Sequence, residues 1–345
     1  MDTLEKVDLV SRPPTEEVVT REELQNLFET KSHPRHYIGL EISGFLHLGS
    51  LFTTGFKIND LLQAGVDCTV FLADWHTLIN DKMGGSRDLI SRVSRYYSDA
   101  FKLVCPGVRI ILGSDLYESR REYWYDLVRI TKHMSLARTM RTLTIMGRTE
   151  GADRVDLSKL LYPPMQAADI HFLEADIAHA GMDQRKIHML AREVFPKMGW
   201  DVPVALHHRL LPGFARRPGS DGSKMSKTDP GNSISVHDTD DHIRTKIRKA
   251  WCEPKDKSSP LLAVTRDIIF HRFESVTMER PAKFGGDITF GSYDEMEAEF
   301  GAGSIHPMDL KQMISQYLVE IVGPIRDRLA LDDELIEAIR LARSA

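Results

Sequence analysis

Two short segments of the chain contain residue types that suit the handling of phosphate groups. The first, residues 47–50, follows an apolar run at 37–40 and a turn that contains Gly44. A helix that begins near His47 would expose unpaired N–H groups and the positive end of its dipole, where anions bind. Gly44 permits a tight turn, Gly49 lets a flat ring approach the backbone, and His47 can donate a hydrogen bond to a phosphate oxygen.

The second segment, residues 224–228, lies in a loop rich in Gly and Asp. Two ammonium groups, on Lys224 and Lys227, could meet the charge that develops on a leaving pyrophosphate. Taken alone, the first segment also fits an ordinary capped turn, and the second also fits a solvated basic loop.

A third group of polar residues forms a stripe on a predicted apolar helix. Tyr162, Gln166 and Asp169 are spaced i, i+4 and i+7, which places them on one helix face. Their neighbours are mostly apolar, so the helix should be largely buried, and a buried amide or carboxylate needs partners. Tyr37, in the first predicted strand, adds a second phenol. The alternative interpretation is that this face meets solvent or neighbouring backbone.

The elements that must position these residues follow a βα rhythm. Apolar runs predict strands at 35–40, 68–73 and 108–112, and helices with an apolar stripe at 47–63 and 86–104. This order predicts a parallel sheet with right-handed crossovers, in which ligands bind beyond the carboxyl ends of the strands. The later pattern predicts mostly helical structure at 119–148, helices at 160–173, 183–195, 237–251 and 309–322, a short strand at 204–208 and a loop at 212–232.

Bulk properties set further limits. The chain has 345 residues, of which 42% are hydrophobic, and a formal net charge of −5. These values predict a packed globular protein whose contacts with nucleic acid would need local basic patches. The 3 cysteines have no metal-site or disulfide spacing, which favours a reducing, cytoplasmic location. The sequence contains no apolar stretch of about 18 residues, so no membrane span is predicted.

The two phosphate-handling segments, in this order and around an α/β pattern, resemble the two signature motifs of class I aminoacyl-tRNA synthetases. Residues 37–39, 162–171 and 181–188 resemble tyrosyl-tRNA synthetases of the archaeal and eukaryotic type, and the resemblance extends over about residues 35–328. It implies an ATP-dependent tyrosine–tRNA ligase that takes L-tyrosine, ATP with Mg²⁺, and tRNA(Tyr). It also implies a homodimer and no protein-bound metal or organic cofactor.

The same resemblance implies roles for individual residues. The tyrosine hydroxyl would lie between Tyr37 and Asp169, and Asp183 would contact the ATP ribose. The other implied tyrosine-binding residues are Glu41, Tyr162, Gln166 and Gln184. The implied ATP-binding and catalytic residues are Gly44, His47, Gly49, Ser50, Lys224, Met225 and Lys227. The implied tRNA contacts are Arg141 and Arg185 on the acceptor stem, and Phe284 and Asp309 on the anticodon.

The chemistry of the pocket agrees with this resemblance. A phenol hydroxyl can donate to Asp169 and accept from Tyr37, whereas phenylalanine would leave both groups unpaired. The sequence departs from the family pattern at Ser50, where a second His is usual, and at Ile42, where Pro is usual. Two alternatives stay open: a tryptophanyl enzyme of the same fold, and a catalytically silent relative that binds RNA or protein.

The predicted architecture is a Rossmann-like α/β catalytic domain followed by a mainly α-helical domain. Residues 1–34 form an N-terminal extension in this prediction, and residues 35–212 form the catalytic domain. An insertion at about 113–150 would serve dimerisation and acceptor-stem contact. The mobile loop would span 213–235, and a helical anticodon-binding domain would span 236–345.

Overall fold

The structure is a computed structural model. It describes residues 1–146, 155–215, 225, 230–329 and 331–344. Contacts divide the chain into two compact units. The first comprises Met1–Gly44, Lys57–Arg209 and Asp332–Ala345, and the second comprises Phe45–Phe56 and Leu210–Leu331. The domain roles predicted from the sequence, such as dimerisation and anticodon binding, stay predictions.

The first unit is built on a six-stranded sheet. Its strands, in chain order, are β1 Thr15–Val19, β2 Arg35–Leu40, β3 Asp67–Leu72, β4 Arg109–Leu112, β5 Ile177–Gly181 and β6 Val204–His208. They are arranged in the order β1-β6-β5-β2-β3-β4. Strands β2 to β6 pair with one another in the parallel sense, and β1 pairs with β6 in the antiparallel sense. The structure therefore confirms the predicted Rossmann-like α/β class and adds an antiparallel edge strand.

The helices of the chain have the following bounds. They are α1 Thr3–Ser11, α2 Arg21–Thr30, α3 Thr54–Gln63, α4 Asp74–Ile79, α5 Arg87–Val104, α6 Gly113–Ser119, α7 Glu122–Thr131, α8 Leu136–Thr142, α9 Tyr162–Phe172, α10 Arg185–Met198, α11 Asp240–Lys249, α12 Pro260–Val264, α13 Phe270–Arg272, α14 Tyr293–Ala302, α15 Pro307–Arg328 and α16 Asp333–Ser344. None of the helices among the described residues is long and apolar enough to cross a bilayer.

Local sequence explains where these elements begin and end. Strand β3 is buried from Cys68 to Leu72 because both faces of an interior parallel strand are covered. Helix α5 begins where the Ser86 hydroxyl accepts a hydrogen bond from the backbone N–H of Leu89. Helix α9 has Pro163 and Pro164 in its first turn, where their missing N–H groups cost no intrahelical bond.

The N-terminal segment is an integral part of the first unit. The side chain of Lys57 is buried, and its ammonium donates to the carbonyls of Val10 (3.0 Å) and Arg12 (2.9 Å) at the end of α1. It also pairs with Asp60 at 2.7 Å, and Asp60 in turn pairs with Arg12 at 2.5 Å. Because this network is largely buried, it holds α1 firmly against the first turns of α3.

Two chains of hydrogen-bonded histidines are buried in the first unit. In the first histidine chain, His36 Nε2 lies 3.0 Å from His179 Nδ1, and His179 Nε2 lies 2.8 Å from His208 Nδ1. These three side chains project from β2, β5 and β6, so the first histidine chain crosses neighbouring strands of the sheet. Burial lowers the pKa of His36 to about 3 and that of His208 to about 4, and it also lowers the pKa of His179.

The second histidine chain reaches the edge strand. His188 Nδ1 lies 3.0 Å from His207 Nε2, and His207 Nδ1 lies 2.9 Å from a carboxylate oxygen of Glu17 in β1. Burial lowers the pKa of His188 to about 3, and it lowers the pKa of His207 despite the opposing charge of Glu17. All five rings are therefore neutral at neutral pH, and each can both donate and accept a hydrogen bond.

The second unit is mainly helical, as predicted for the C-terminal part of the chain. It contains α11 to α15 and one antiparallel hairpin, β7 Val276–Met278 paired with β8 Ile288–Phe290. A π-helical turn, Leu48–Thr53, precedes α3. The hairpin was not predicted, because strands of three residues are too short to establish an alternating pattern.

Candidate active site

The proposed hydroxyl-binding pair, Tyr37 and Asp169, is buried in the first unit. Tyr37 lies on β2 and Asp169 on α9. The pKa of Tyr37 is raised well above its ordinary value, first by burial and then by the charge of Asp169, so the two groups interact electrostatically. A Cβ atom on Gly39 would lie 2.3 Å from the Tyr37 hydroxyl. Residue 39 must therefore be glycine for the Tyr37 ring to lie along its strand in this way.

The carboxylate of Asp169 is held by a tyrosine that sequence analysis missed. The hydroxyl of Tyr123, on α7, donates to Asp169 Oδ1 at 2.7 Å. The second oxygen, Oδ2, lies 3.7 Å from His76 Nε2 and has no hydrogen-bond partner among the described residues. Burial raises the pKa of Asp169, and the hydrogen bond from Tyr123 opposes that shift. The buried Oδ2 is thus an acceptor that a bound hydroxyl group would satisfy.

His76 adds a neutral ring to this cluster. Burial lowers the pKa of His76 to about 4, and its ring stands edge-on to Tyr162 at a centroid distance of 4.5 Å. Neither ring nitrogen of His76 has a hydrogen-bond partner in the part of the chain that the structure describes. Beside the carboxylate of Asp169, His76 therefore presents neutral ring nitrogens to a ligand.

The residues assigned to the amino end of tyrosine also lie in the first unit. The hydroxyl of Tyr162 donates to Glu41 Oε1 at 2.8 Å. The amide of Gln184 donates through Nε2 to the carbonyl of Ile145 at 3.0 Å, which leaves Oε1 as its acceptor. Gln166 is buried, and its Oε1 has no partner among the described residues. A ligand ammonium would find carboxylate and amide oxygens here.

Residues near the carboxyl ends of β2 and β5 were assigned to ATP. Gly44 has a φ of 122°, a left-handed conformation that favours glycine. The hydroxyl of Tyr97 donates to the Gly44 carbonyl at 3.0 Å and fixes the turn. Asp183 lies in the short turn after β5, where its charge acts on His208.

In the second unit, His47 and Ser50 cap one another. His47 Nδ1 accepts from the backbone N–H of Gly49 (3.2 Å) and of Ser50 (3.4 Å), and Ser50 Oγ accepts from the backbone N–H of His47 at 2.9 Å. Because Nδ1 is an acceptor, the proton of the neutral ring is on Nε2, which can donate to a phosphate. The hydroxyl oxygen of Ser50, by contrast, already accepts the capping hydrogen bond from the His47 N–H.

The second phosphate-handling segment is described only at one residue. Met225 is buried, and its backbone N–H donates to the Leu211 carbonyl at 2.7 Å. Lys224 and Lys227 lie outside the described residues, so their predicted roles stay predictions.

The residues assigned to tRNA are distributed over both units. In the first unit, Arg141 is exposed at the end of α8, and Arg185 pairs with Glu17 at 2.8 Å. In the second unit, Phe284 is 59% exposed and Asp309 lies in the first turn of α15. Arg280 joins the segments that carry these two residues, because it donates to the carbonyls of Gly286 (3.1 Å) and Ser304 (3.3 Å).

Comparison with known proteins places the chain among relatives of nearly equal length. Residues 29–323 match the profile of the family described as tRNA synthetases class I (W and Y). The tyrosine–tRNA ligase of Thermococcus sibiricus is 42% identical over 99% of this chain and 98% of the relative. That of Pyrobaculum calidifontis is 42% identical over 94% of each.

Solved structures give the same result. The tyrosyl-tRNA synthetase of Pyrococcus horikoshii, crystallised with L-tyrosine, superimposes with a TM-score of 0.89 at 39% identity and covers 100% of both chains. The enzyme of Leishmania major, crystallised with tyrosinol, gives 0.90 at 31% identity over 99% of this chain and 61% of that one. With this profile match and these full-length relatives, the chain belongs to the tyrosyl-tRNA synthetases, a class I aminoacyl-tRNA synthetase family.

Proposed function

We propose that this chain activates L-tyrosine with ATP and transfers the tyrosyl group to the 3′ end of tRNA(Tyr), and that Tyr37 and Asp169 select the phenol. The observation that carries the site assignment is the buried Oδ2 of Asp169, which has no partner among the described residues. A phenol hydroxyl would donate to this oxygen and accept from Tyr37. Nearby side chains that bind the amino end are Glu41, Tyr162, Gln166 and Gln184.

The reaction needs no covalent bond to the protein. The tyrosine carboxylate attacks the α-phosphate of ATP and releases pyrophosphate, and the terminal ribose hydroxyl of tRNA then attacks the tyrosyl carbonyl and releases AMP. Catalysis comes from positioning and from stabilising charge on the transferring phosphate. His47 would donate from Nε2 to a phosphate oxygen, with Gly44, Gly49, Ser50 and Met225 shaping the site. Asp183 would bind the ribose, and Lys224 and Lys227 would meet the leaving pyrophosphate.

Magnesium would enter this site as the ATP complex. The described residues contain no group of three or more His, Cys, Asp or Glu side chains arranged to hold a metal. The phosphates themselves supply oxygen ligands of the kind that Mg²⁺ prefers.

Recognition of tRNA would use one set of residues in each unit. Phe284 would stack on the first anticodon base and Asp309 would read its edge, as is usual for unpaired RNA bases. Residues 236–345 would supply this anticodon-binding part. Arg141 and Arg185 would contact the acceptor stem, and Arg185 would then exchange its pairing with Glu17 for an RNA group. We also propose a cytoplasmic location, because the cysteines lack the spacing of a disulfide framework.

An exchange assay between ATP and pyrophosphate with single amino acids tests the activity. We expect exchange with L-tyrosine and none above background with L-tryptophan or L-phenylalanine, since only tyrosine satisfies both Asp169 and Tyr37. Exchange driven by tryptophan alone would identify a tryptophanyl enzyme instead. Absence of exchange with every amino acid, together with tRNA binding, would identify a catalytically silent relative.

The enzyme is proposed to be a homodimer, with helix α7 inside the contact. This helix exposes Trp124 (38%), Tyr125 (70%) and Val128 (61%), and Trp75 of α4 lies beside Trp124 at a ring distance of 5.3 Å. Apolar side chains grouped in this way on a surface indicate an interface.

Val128→Asp is therefore expected to convert the dimer to a monomer, because the interface would bury an unpaired carboxylate. Sedimentation equilibrium measures the change in mass. The control is Leu341→Asp, at a residue of α16 that is also about equally exposed (62%), and the mass should stay that of the dimer. A monomeric parent protein, or a Val128→Asp variant that remains dimeric, would contradict the proposed interface.

A further inference from the structure

Asn80 is a fully buried amide that neither the sequence motifs nor the proposed reaction uses. It follows the last residue of α4. Its Nδ2 group donates two hydrogen bonds, one to Glu41 Oε1 at 2.8 Å and one to the carbonyl of Met146 at 3.2 Å. A side-chain amide has two N–H donors in a fixed plane, and here each has an acceptor.

These bonds fix the orientation of the Glu41 carboxylate. Oε1 of Glu41 accepts from Asn80 and also from the Tyr162 hydroxyl, in both cases at 2.8 Å. Two donors on one oxygen leave the carboxylate little freedom to rotate. Asn80 thus orients the Glu41 carboxylate by a hydrogen bond, as Tyr123 orients the Asp169 carboxylate.

The second bond of Asn80 reaches the segment that also orients Gln184. The Met146 carbonyl accepts from Asn80, and the preceding carbonyl, that of Ile145, accepts from Gln184 Nε2 at 3.0 Å. Two consecutive carbonyls therefore connect Glu41 and Gln184, the two groups assigned to the ammonium of tyrosine. Asn80 contacts both this backbone segment and Glu41.

We propose that Asn80 is a positioning residue for the ammonium group of the amino-acid substrate, acting through Glu41 and the Met146 carbonyl. The inference rests on the proposed function, because it assumes that Glu41 binds the ammonium. In this proposal Asn80 acts through its two Nδ2 hydrogen bonds and not through a substrate contact of its own. Its effect is to hold a carboxylate where a cation can meet it without first paying the entropy of ordering that side chain.

Two ligands that differ at the amino end test the proposal on the full-length enzyme. L-Tyrosinol has the ammonium and lacks the carboxylate, whereas 3-(4-hydroxyphenyl)propionate lacks the ammonium. Dissociation constants for both are measured by calorimetry on enzyme whose folded fraction has been determined. Asn80→Ala should raise the dissociation constant of tyrosinol by about tenfold, which is the size of effect expected when one charged hydrogen bond is lost. It should change the dissociation constant of the propionate by less than about twofold.

Asn80→Asp provides a second readout that packing damage would not produce. It keeps the shape of the side chain but places a carboxyl group against Glu41 Oε1, and two carboxylates this close share a proton. Tyrosinol binding should then acquire a new pH dependence that the parent enzyme lacks. Equal weakening of both ligands by Asn80→Ala, or an unchanged pH profile in Asn80→Asp, would overturn the proposal.

Two further variants separate this inference from the site assignment on which it rests. Asn59→Ala is the matched control, because Asn59 also donates from Nδ2 to a backbone carbonyl, that of Val104 at 3.0 Å. It should leave the ratio of the two affinities unchanged. Glu41→Gln should change that ratio at least as much as Asn80→Ala. If Glu41→Gln changes the ratio and Asn80→Ala does not, only the role of Asn80 is wrong; if neither does, the assignment of Glu41 is wrong.

Discussion

Asp169→Asn is expected to lower kcat/KM for tyrosine by about 100-fold or more, with little change in the KM for ATP. The carboxylate has one oxygen for Tyr123 and one for the substrate, whereas an amide has a single acceptor oxygen. One of the two hydroxyls must therefore face an N–H group in a buried site. Phenylalanine has no hydroxyl that bonds residue 169, so its kcat/KM should change less. The preference for tyrosine over phenylalanine should therefore fall. Exchange kinetics with both amino acids measure this ratio.

Two variants show whether the loss arises at the carboxylate. Tyr123→Phe keeps Asp169 but removes the hydrogen bond that opposes the rise in its pKa, so the acid limb of kcat/KM for tyrosine should move to higher pH. Asp60→Asn removes another buried carboxylate, one that pairs with Lys57, and should lower stability without changing the tyrosine preference. If Asp169→Asn reduced activity on tyrosine and phenylalanine equally, the pocket assignment would be wrong. A tyrosyl-tRNA synthetase is itself the standard example of this discrimination, about 10⁵ against phenylalanine.

Acidification from pH 7.5 to 5.5 should lower the free energy of unfolding by several kcal/mol. The cause is the two histidine chains, whose rings have pKa values lowered by burial. The rings of His36, His179, His188 and His208 stay neutral in the folded state at pH 5.5 but take up a proton in the unfolded state below the ordinary pKa of about 6.5. Stability contributed by a group with a depressed histidine pKa is therefore lost as the pH falls below about 6.5. Each ring contributes up to about 1.4 kcal/mol per pH unit in that window. The fifth ring, that of His207, also has a pKa lowered by burial, so its contribution has the same sign.

Urea titrations at pH 7.5, 6.5 and 5.5 measure this slope. His36→Gln should reduce the slope between pH 6.5 and 5.5 by about one proton, because it removes one buried ring. His133→Gln, at an exposed residue after α7, is the control and should leave the slope unchanged. His207 faces Glu17, and Asp183 and Lys57 act on the first histidine chain, so these groups must stay unaltered in the comparison. A free energy of unfolding that is constant across this range would contradict the prediction.

Much of the sheet could be predicted from the sequence because its central strands are strongly apolar. The bounds predicted for β2 and β6 agree with the structure at both ends. Strand β5 was missed because its sequence, Ile-Ala-His-Ala-Gly, has small residues and a single β-branched one. Strand β1 was missed because its acidic residues are tolerated at a sheet edge but weaken the strand pattern.

The active site shows a similar limit. The stripe of Tyr162, Gln166 and Asp169 was predicted from helical spacing, and the structure confirms that all three are buried on α9. Tyr123 and Asn80 were not predicted, because each acts through a bond to a residue at least 39 positions away. In the sequence Tyr123 fits the apolar stripe of a core helix, and no local spacing distinguishes it from a packing residue.

The antiparallel pairing of β1 with β6 bears on how this enzyme can be shortened. A chain that began at Arg35 would leave the outer side of β6 with unpaired backbone N–H and C=O groups along a strand whose residues are buried in the intact chain. Such an edge is a template for pairing with other copies, so the shortened enzyme would self-associate into aggregates. Fusion partners and affinity tags are therefore better joined ahead of α1 than in place of it.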